Sequence, residues 1–244
     1  MKFDFQHRPY SGKQPRPTPE VHFEASLNTL IVAVPWGPRS GARKVIDRVL
    51  EFLAFASQDK EATSPLPKLS CLSDAANNLR IAALLANDML YREDNRDEYH
   101  VGVELLALTL SGNELCWVQV GGPNVLLARK NQTLLSLESK TDLSLDCSEQ
   151  KNGTPLTPLP GQLLGLDSNV NVSVNSFRTR ANDRLILLAH SQPPAIVYSW
   201  TMADLQLDKM IRDVATSAPH RAFWLGSLDI SAERSDQPPI DEAA

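Results

Sequence analysis

The stretch "ELCWVQVGGPNVLLARKNQTLL", residues 114–135, indicates which class of fold the chain adopts. Its three apolar runs are separated by Gly-Gly-Pro and Lys-Asn-Gln, which are typical connectors between antiparallel strands. A further apolar run, "VELLALTL" at residues 103–110, precedes the stretch across a Ser-Gly-Asn connector. We therefore predict a four-stranded antiparallel meander, in which residues 121–124 form a hairpin turn.

The chain before the meander predicts one buried strand and two helices. Residues 29–34, "TLIVAV", form a continuous apolar run rich in β-branched residues, which is typical of a strand buried on both faces. Ser40 follows a Pro-Trp-Gly-Pro segment and is predicted to cap a helix that ends near residue 57. Ser73 is predicted to cap a second helix that ends near residue 91.

The rest of the chain completes an alternation of helices and sheets. The charged run "YREDNRDEYH" is predicted to be solvated surface. After the meander we predict a long polar loop at residues 141–162, a half-exposed strand at 170–180 and a buried strand at 184–189. A helix at residues 201–217 and a closing strand at 222–230 follow. This order predicts an α+β fold with helices packed on antiparallel sheets. We expect one domain, residues 1–230, followed by a polar, disordered tail, residues 231–244.

The composition is that of a globular protein, because 42% of the 244 residues are hydrophobic and 22% are charged. The net charge of -5 argues against nucleic acid and against an anionic membrane surface as partners. No apolar run approaches the roughly 20 residues of a membrane-spanning helix. The N-terminus lacks the pattern of a signal peptide, so we expect a cytoplasmic protein. The three cysteines are far apart, which argues against a disulfide framework and a structural zinc site.

Five stretches of the sequence have the order of the motifs of a known enzyme family. They are "RPTPEV" at residues 16–21, "AVPWGPRSG" at 33–41, "VQVGGPNVLLAR" at 118–129, "NDRLILLAHSQ" at 182–192 and "APHRAFWLGSLDI" at 218–230. Together they resemble the metal-dependent (type 2C, PPM-type) serine/threonine protein phosphatases. The resemblance implies a four-layer αββα sandwich, in which two antiparallel sheets are flanked by helices.

The metal-binding aspartates of that family have no counterparts at the positions that the resemblance indicates. The family's mechanism uses two Mg²⁺ or Mn²⁺ ions, which several carboxylates hold and which activate the attacking water. The degenerate metal positions in this chain are Val21, Ala33, Val34, Gly122, His190 and His220. Valine, alanine and glycine offer no side-chain ligand, so we expect no cofactor and no metal-dependent phosphatase activity. The two histidines are either a softer replacement site for Zn²⁺ or unrelated polar residues.

The resemblance also assigns a phosphate-binding role to the arginine of the first motif. Arg16 and Glu20 keep the spacing of that motif, and Arg39 lies in the loop next to the former cleft. Because arginine suits phosphate, these three residues are either a phosphate-binding remnant or ordinary surface charges. Trp36 and Pro38, in the same loop as Arg39, are either packing residues or a contact point for a partner.

Three hypotheses for function follow. The first is a catalytically inactive binding or regulatory domain, a pseudophosphatase, which engages a kinase or a phosphoprotein through the filled cleft and residues 141–162. The second is a divergent phosphoprotein phosphatase or hydrolase that uses other residues or a non-standard metal, with an activity that depends on Arg16 and His190. The third is a purely architectural role within an oligomer. We favour the first hypothesis.

Overall fold

The computed structural model describes residues 2–13, 16–58, 66–137, 143, 159–190 and 192–231. Its strands are β1 Lys2–Tyr10, β2 Glu20–Glu24, β3 Thr29–Trp36, β4 Gly102–Ser111, β5 Glu114–Val120, β6 Asn124–Ala128, β7 Leu135–Ser136, β8 Ser173–Arg178, β9 Asp183–Ala189 and β10 Phe223–Ser231. Its α-helices are α1 Arg39–Gln58, α2 Asp74–Met89 and α3 Leu207–Ser217. A π-helical turn, Leu90–Asp94, extends α2, and two 3-10 turns, Ala195–Ser199 and Met202–Asp204, precede α3.

The strands form two antiparallel sheets, in the orders β1-β10-β9-β6-β7 and β2-β3-β4-β5-β8. Three apolar cores separate four layers. The first core joins α1 and α2 to the β3-β4-β5 sheet, the second lies between the two sheets, and the third joins the β9-β10 sheet to α3. The predicted α+β sandwich, with helices on both outer faces, is therefore confirmed. In the described part of the chain, no helix is long and apolar enough to cross a membrane.

Strand β3 is buried on both faces, as its unbroken apolar run predicts. Ile31 and Ala33 face α1 and α2, whereas Leu30, Val32 and Val34 face the core between the sheets. All five side chains are 0% exposed. Burying a large aliphatic side chain contributes roughly 1.5–3 kcal/mol, so this strand supports the two cores at once.

The helix boundaries agree with one predicted cap and correct two other predictions. The Ser73 side chain accepts a hydrogen bond from the backbone N of Ala76, so Ser73 caps α2 as predicted. Ser40 is not a cap, because it lies inside α1, which begins at Arg39. The carbonyl of Pro38, just before the helix, accepts a hydrogen bond of 3.2 Å from Gly41 N. The helix predicted from residue 201 begins only at Leu207, after a capped 3-10 turn.

Residues 121–123 cross from one sheet to the other, so the predicted hairpin at this point is wrong. Strand β5 pairs with β4 and β8, whereas β6 pairs with β7 and β9 in the other sheet. The Gln119 amide donates to the carbonyls of Gly121 and Pro123, at 2.8 Å each, and fixes the crossing. The other two turns of the predicted meander, β4-β5 and β6-β7, are hairpins.

Two predicted segments fall largely beyond the part of the chain that the structure describes. Of the predicted polar tail, only Ser231, the last residue of β10, is described. Of the long loop at residues 141–162, only Leu143 and residues 159–162 are described.

A candidate binding site around Glu104

The crossing between the sheets brings Gly122 against a buried carboxylate. Glu104 lies opposite Val34 in the pairing of β3 with β4, and it is 1% exposed. Its Oε1 accepts a hydrogen bond of 2.7 Å from the indole Nε1 of Trp36, and its Oε2 accepts one of 2.5 Å from the backbone N of Gly122. Charge-assisted bonds of this kind are about twice as strong as neutral ones, so Glu104 joins β3 and β4 to the crossing at Gly122.

Arg16 lies over the face of the Trp36 ring. Its guanidinium carbon lies 5.0 Å from the centroid of the indole ring, which is the distance of a cation–π contact. Burial lowers the pKa of Arg16, and the nearby Glu104 carboxylate opposes that shift. The sequence interpretation of Arg16 as a phosphate-binding remnant stays a prediction, but in the structure its guanidinium lies over the Trp36 ring, near the charge of Glu104.

Residues 16–18 form a strap across the ends of both sheets. The carbonyl of Pro17 accepts a hydrogen bond of 3.0 Å from Nε2 of His190, which follows the end of β9. Thr18 is held by Arg39, which donates to its hydroxyl and, at 3.4 Å, to its carbonyl. His190 is 6% exposed and adopts a left-handed backbone with φ 64°, which directs its ring back to the strap.

Glu20 and Arg39, the other members of the predicted phosphate-binding remnant, lie together on the helix side of β2. Glu20 pairs with Arg39, Oε1 to Nε at 3.4 Å, and with Arg43, Oε2 to Nε at 3.7 Å. The two arginine side chains are 52% and 68% exposed. They form a basic rim next to the strap, separate from the contact between Arg16 and Trp36.

The residues at the degenerate metal positions have different surroundings, and two of them, Val34 and Gly122, adjoin Glu104. Val21 and Val34 pack into the core between the sheets, whereas Ala33 faces α1 and α2. His190 is buried beside the strap, and His220 is exposed on a turn where its carbonyl accepts from Lys13 N at 3.1 Å. Of the two positions on β3, only Val34 shares a face with Glu104.

A pair of divalent ions, which the resemblance implies, does not fit these residues. Such ions need several oxygen ligands each, and the buried carboxylate of this site, Glu104, is already bound by Trp36 and Gly122. Within the described ranges, no group of three or more histidine, cysteine, aspartate or glutamate side chains is placed to hold a metal ion. We therefore derive no reaction step through a metal.

Sequence reasoning missed Glu104 and Gln119. Both interrupt apolar runs, "VELLALTL" and "ELCWVQV", and both are buried, at 1% and 3% exposure. A charged or amide residue inside a strand buried on both faces needs partners. That signal marks both residues as candidates for a polar site, although the sequence does not show what their partners are.

Comparison with known proteins finds a likeness in structure alone. No family model and no curated protein matches the sequence. The serine/threonine phosphatase PstP/Ppp of Mycobacterium tuberculosis superposes with a TM-score of 0.67 at 17% identity, over 95% of this chain and 100% of that chain. The catalytic domain of PstP in complex with two manganese ions gives 0.60 at 16%, over 94% and 99%. PppA of Pseudomonas aeruginosa, a key regulatory component of T6SS, gives 0.61 at 13%, over 94% and 99%. The chain therefore has the fold of the PPM-type serine/threonine phosphatases.

Proposed function

We propose that this chain is a catalytically inactive phosphatase-like domain that acts by binding another protein. The observation that carries the proposal is the state of Glu104. The carboxylate is buried, bonded to Trp36 and Gly122, and opposite Val34 rather than opposite another acid. Such an arrangement satisfies one buried charge within the protein and leaves no set of oxygen ligands for two ions among the residues that the structure describes.

The chemistry of phosphate release supports the proposal. Metal-dependent hydrolysis needs ions that lower the pKa of a bound water and neutralise the charge on the transferring phosphoryl group. Val21 and Val34 are apolar, and the Gly122 amide donates to Glu104. None of these groups activates a water or accepts a proton.

The basic rim suggests the class of partner. Arg39 and Arg43 are more than half exposed, and each shares the single carboxylate of Glu20. Because guanidinium groups pair with phosphate in a bidentate geometry, we propose a phosphoprotein, or a kinase in its phosphorylated form, as the partner. PppA, which has the same fold, is a key regulatory component of T6SS in Pseudomonas aeruginosa.

A phosphate-release assay tests the loss of catalysis. Chelator-treated protein is given Mn²⁺, Mg²⁺ or Zn²⁺ and a phosphothreonine peptide, with an active phosphatase of the same fold as positive control. We expect no release above the rate without protein. Release that depends on a metal and disappears in Arg16→Ala or His190→Ala would instead support the divergent hydrolase.

A binding assay tests the proposed partner class. Fluorescence anisotropy compares a phosphothreonine peptide with its unphosphorylated form. We expect the Arg39→Ala/Arg43→Ala variant to lose the preference for phosphate, and the exposed control Arg92→Ala to retain it. Equal binding of both peptides by the unchanged protein would rule out phosphate recognition at this rim.

A further inference from the structure

Arg16 is arranged like a bound ligand rather than like part of the wall of the site. Its side chain contributes one contact to the indole face of Trp36, at 5.0 Å, and lies near the charge of Glu104. The strap that carries it is held by other groups, because His190 bonds to Pro17 and Arg39 bonds to Thr18. Truncating the Arg16 side chain therefore leaves the strap with its own anchors.

The walls of the site are built without Arg16. The bond between Trp36 and Glu104 fixes the indole, and the Gly122 amide fixes the carboxylate. Two glycines leave room for side chains at the site. A Cβ at Gly102 would lie 2.8 Å from Leu163 Cδ1 and 3.5 Å from Trp36 Cβ, and one at Gly121 would lie 2.9 Å from Glu104 Cγ. The indole and the carboxylate are therefore held in place by groups other than Arg16.

We propose that Trp36 and Glu104 form a guanidinium-binding pocket, which Arg16 occupies from within the same chain and which a partner's arginine occupies when the strap is displaced. An aromatic face beside a buried carboxylate selects a planar, weakly hydrated cation, which is a guanidinium rather than an ammonium group. The pocket itself does not depend on the proposed function, but the existence of an arginine-bearing partner does.

Chemical rescue tests the pocket directly. The thermal midpoint of Arg16→Ala is measured with 0–20 mM methylguanidinium chloride as probe and with equal methylammonium chloride as the reference. We expect methylguanidinium to raise the midpoint of Arg16→Ala by about 2 °C relative to methylammonium, as binding to the native state at millimolar affinity requires. The wild-type protein and the exposed control Arg92→Ala should show no such difference.

A second variant identifies the carboxylate as the selecting group. Glu104→Gln preserves the shape of the side chain but removes its negative charge. In the Arg16→Ala background it should therefore weaken the rescue at least about fivefold. If Arg16→Ala does not fold, Arg16→Gln replaces it, because the shorter neutral amide still occupies the strap.

A short peptide distinguishes the pocket from the phosphate-binding rim. Acetyl-Gly-Arg-Gly-amide should bind Arg16→Ala more tightly than the matched lysine peptide does, and wild-type protein should exclude both. Neither probe carries phosphate, so failure of the proposed phosphoprotein binding leaves this readout unchanged. An equal response to both cations, or the same rescue in Arg92→Ala, would overturn the proposed pocket.

Discussion

The indole nitrogen of Trp36 donates a hydrogen bond of 2.7 Å to Glu104, and this bond joins the last residue of β3 to a buried carboxylate near the start of β4. The same carboxylate accepts from Gly122, at the point where the chain passes to the other sheet. One side chain therefore connects two neighbouring strands with the crossing between the sheets. The Val34 side chain beside it is apolar and 0% exposed, which fills the remaining space on that face.

Removing the Glu104 carboxylate should destabilise the fold strongly. We expect Glu104→Ala to lower the free energy of unfolding by about 3–5 kcal/mol, because it leaves the buried Gly122 amide and the half-buried Trp36 indole N–H unpaired. Glu104→Gln retains one acceptor oxygen but turns an amide NH2 toward the second donor, so it should cost about 2–3 kcal/mol. Urea unfolding measures both, with exposed Glu98→Ala as a control that should stay within about 0.5 kcal/mol. Equal losses in the alanine and glutamine variants would show that charge, rather than hydrogen bonding, dominates.

A buried amide, Asn95, holds the segment between α2 and β4. Its Nδ2 donates to the carbonyls of Val101 and Gly165 at 2.6 and 2.7 Å, and its Oδ1 accepts from the backbone N of His100 and Val101 at 3.1 and 3.0 Å. We expect Asn95→Asp to lower the free energy of unfolding by about 3 kcal/mol or more, because an oxygen would then face two carbonyls. Urea unfolding checks this, with exposed Asn171→Ala as control. A loss below about 1 kcal/mol would contradict the assigned amide orientation.

Arg129 and Asp183 form an ion pair at the first residue of β9. Asp183 is 2% exposed, and both of its oxygens accept from Arg129, at 3.0–3.2 Å. We expect Asp183→Asn to cost about 3–5 kcal/mol, as removal of one partner of a buried pair does. Arg129→Lys should also destabilise, because an ammonium group does not reproduce the bidentate geometry.

A double-mutant cycle on this pair measures the coupling between its members. The exposed pair of Arg92 and Asp88, whose side chains are 74% and 51% exposed, provides the matched control and should couple by less than about 1 kcal/mol. Coupling of the same size in both pairs would contradict the assignment of Arg129 and Asp183 as a structural pair.

The sequence predicted most of the fold because its strongest patterns depend on local burial. The unbroken apolar run of β3 and the Ser73 cap of α2 are properties of a few neighbouring residues, and both are confirmed. The crossing at residues 121–123 was not predicted, because its glycine and proline residues also suit a hairpin. The pairing of Asn124 with Leu188, 64 positions away, decides which sheet receives β6.

The candidate site was predicted only in outline for the same physical reason. Arg16, Glu20 and Arg39 were identified by spacing, and the structure places Glu20 with Arg39 but places Arg16 against Trp36. Glu104 was not identified from the sequence, because its bond to Trp36 depends on the pairing of β3 with β4. A contact between residues 16 and 104 has no signature in the local pattern of either segment.

The capping interaction of Asp204 should make stability depend on pH at the acidic end. Hydrogen bonds from Lys209 and then from Thr201 hold the pKa of Asp204 well below its ordinary value of 3.8. A carboxyl group with a lowered pKa in the folded state stabilises the fold above pH 3.8, and this contribution is lost as the pH falls further. We expect Asp204→Asn to be less stable than wild type at pH 7 and the difference to shrink between pH 4 and pH 2. Thermal midpoints of both proteins between pH 7 and pH 2 measure this difference.

His190 and His220 should behave as unrelated residues in stability and in zinc binding. His190 is 6% exposed and bonds to the strap at Pro17, whereas His220 is exposed on a turn. We expect His190→Asn, which tolerates the left-handed backbone, to lower the free energy of unfolding by about 1–2 kcal/mol. His220→Asn should change it by less than about 0.5 kcal/mol.

Zinc titration by calorimetry completes the test of the two histidines. If they formed a replacement metal site, each single variant would abolish a stoichiometric binding heat seen with wild-type protein. We expect no such heat and no difference among the three proteins, because the imidazole of His190 is directed to the carbonyl of Pro17. A stoichiometric heat that both variants remove would show that the two rings share an ion, and the divergent hydrolase would become the better account of the fold.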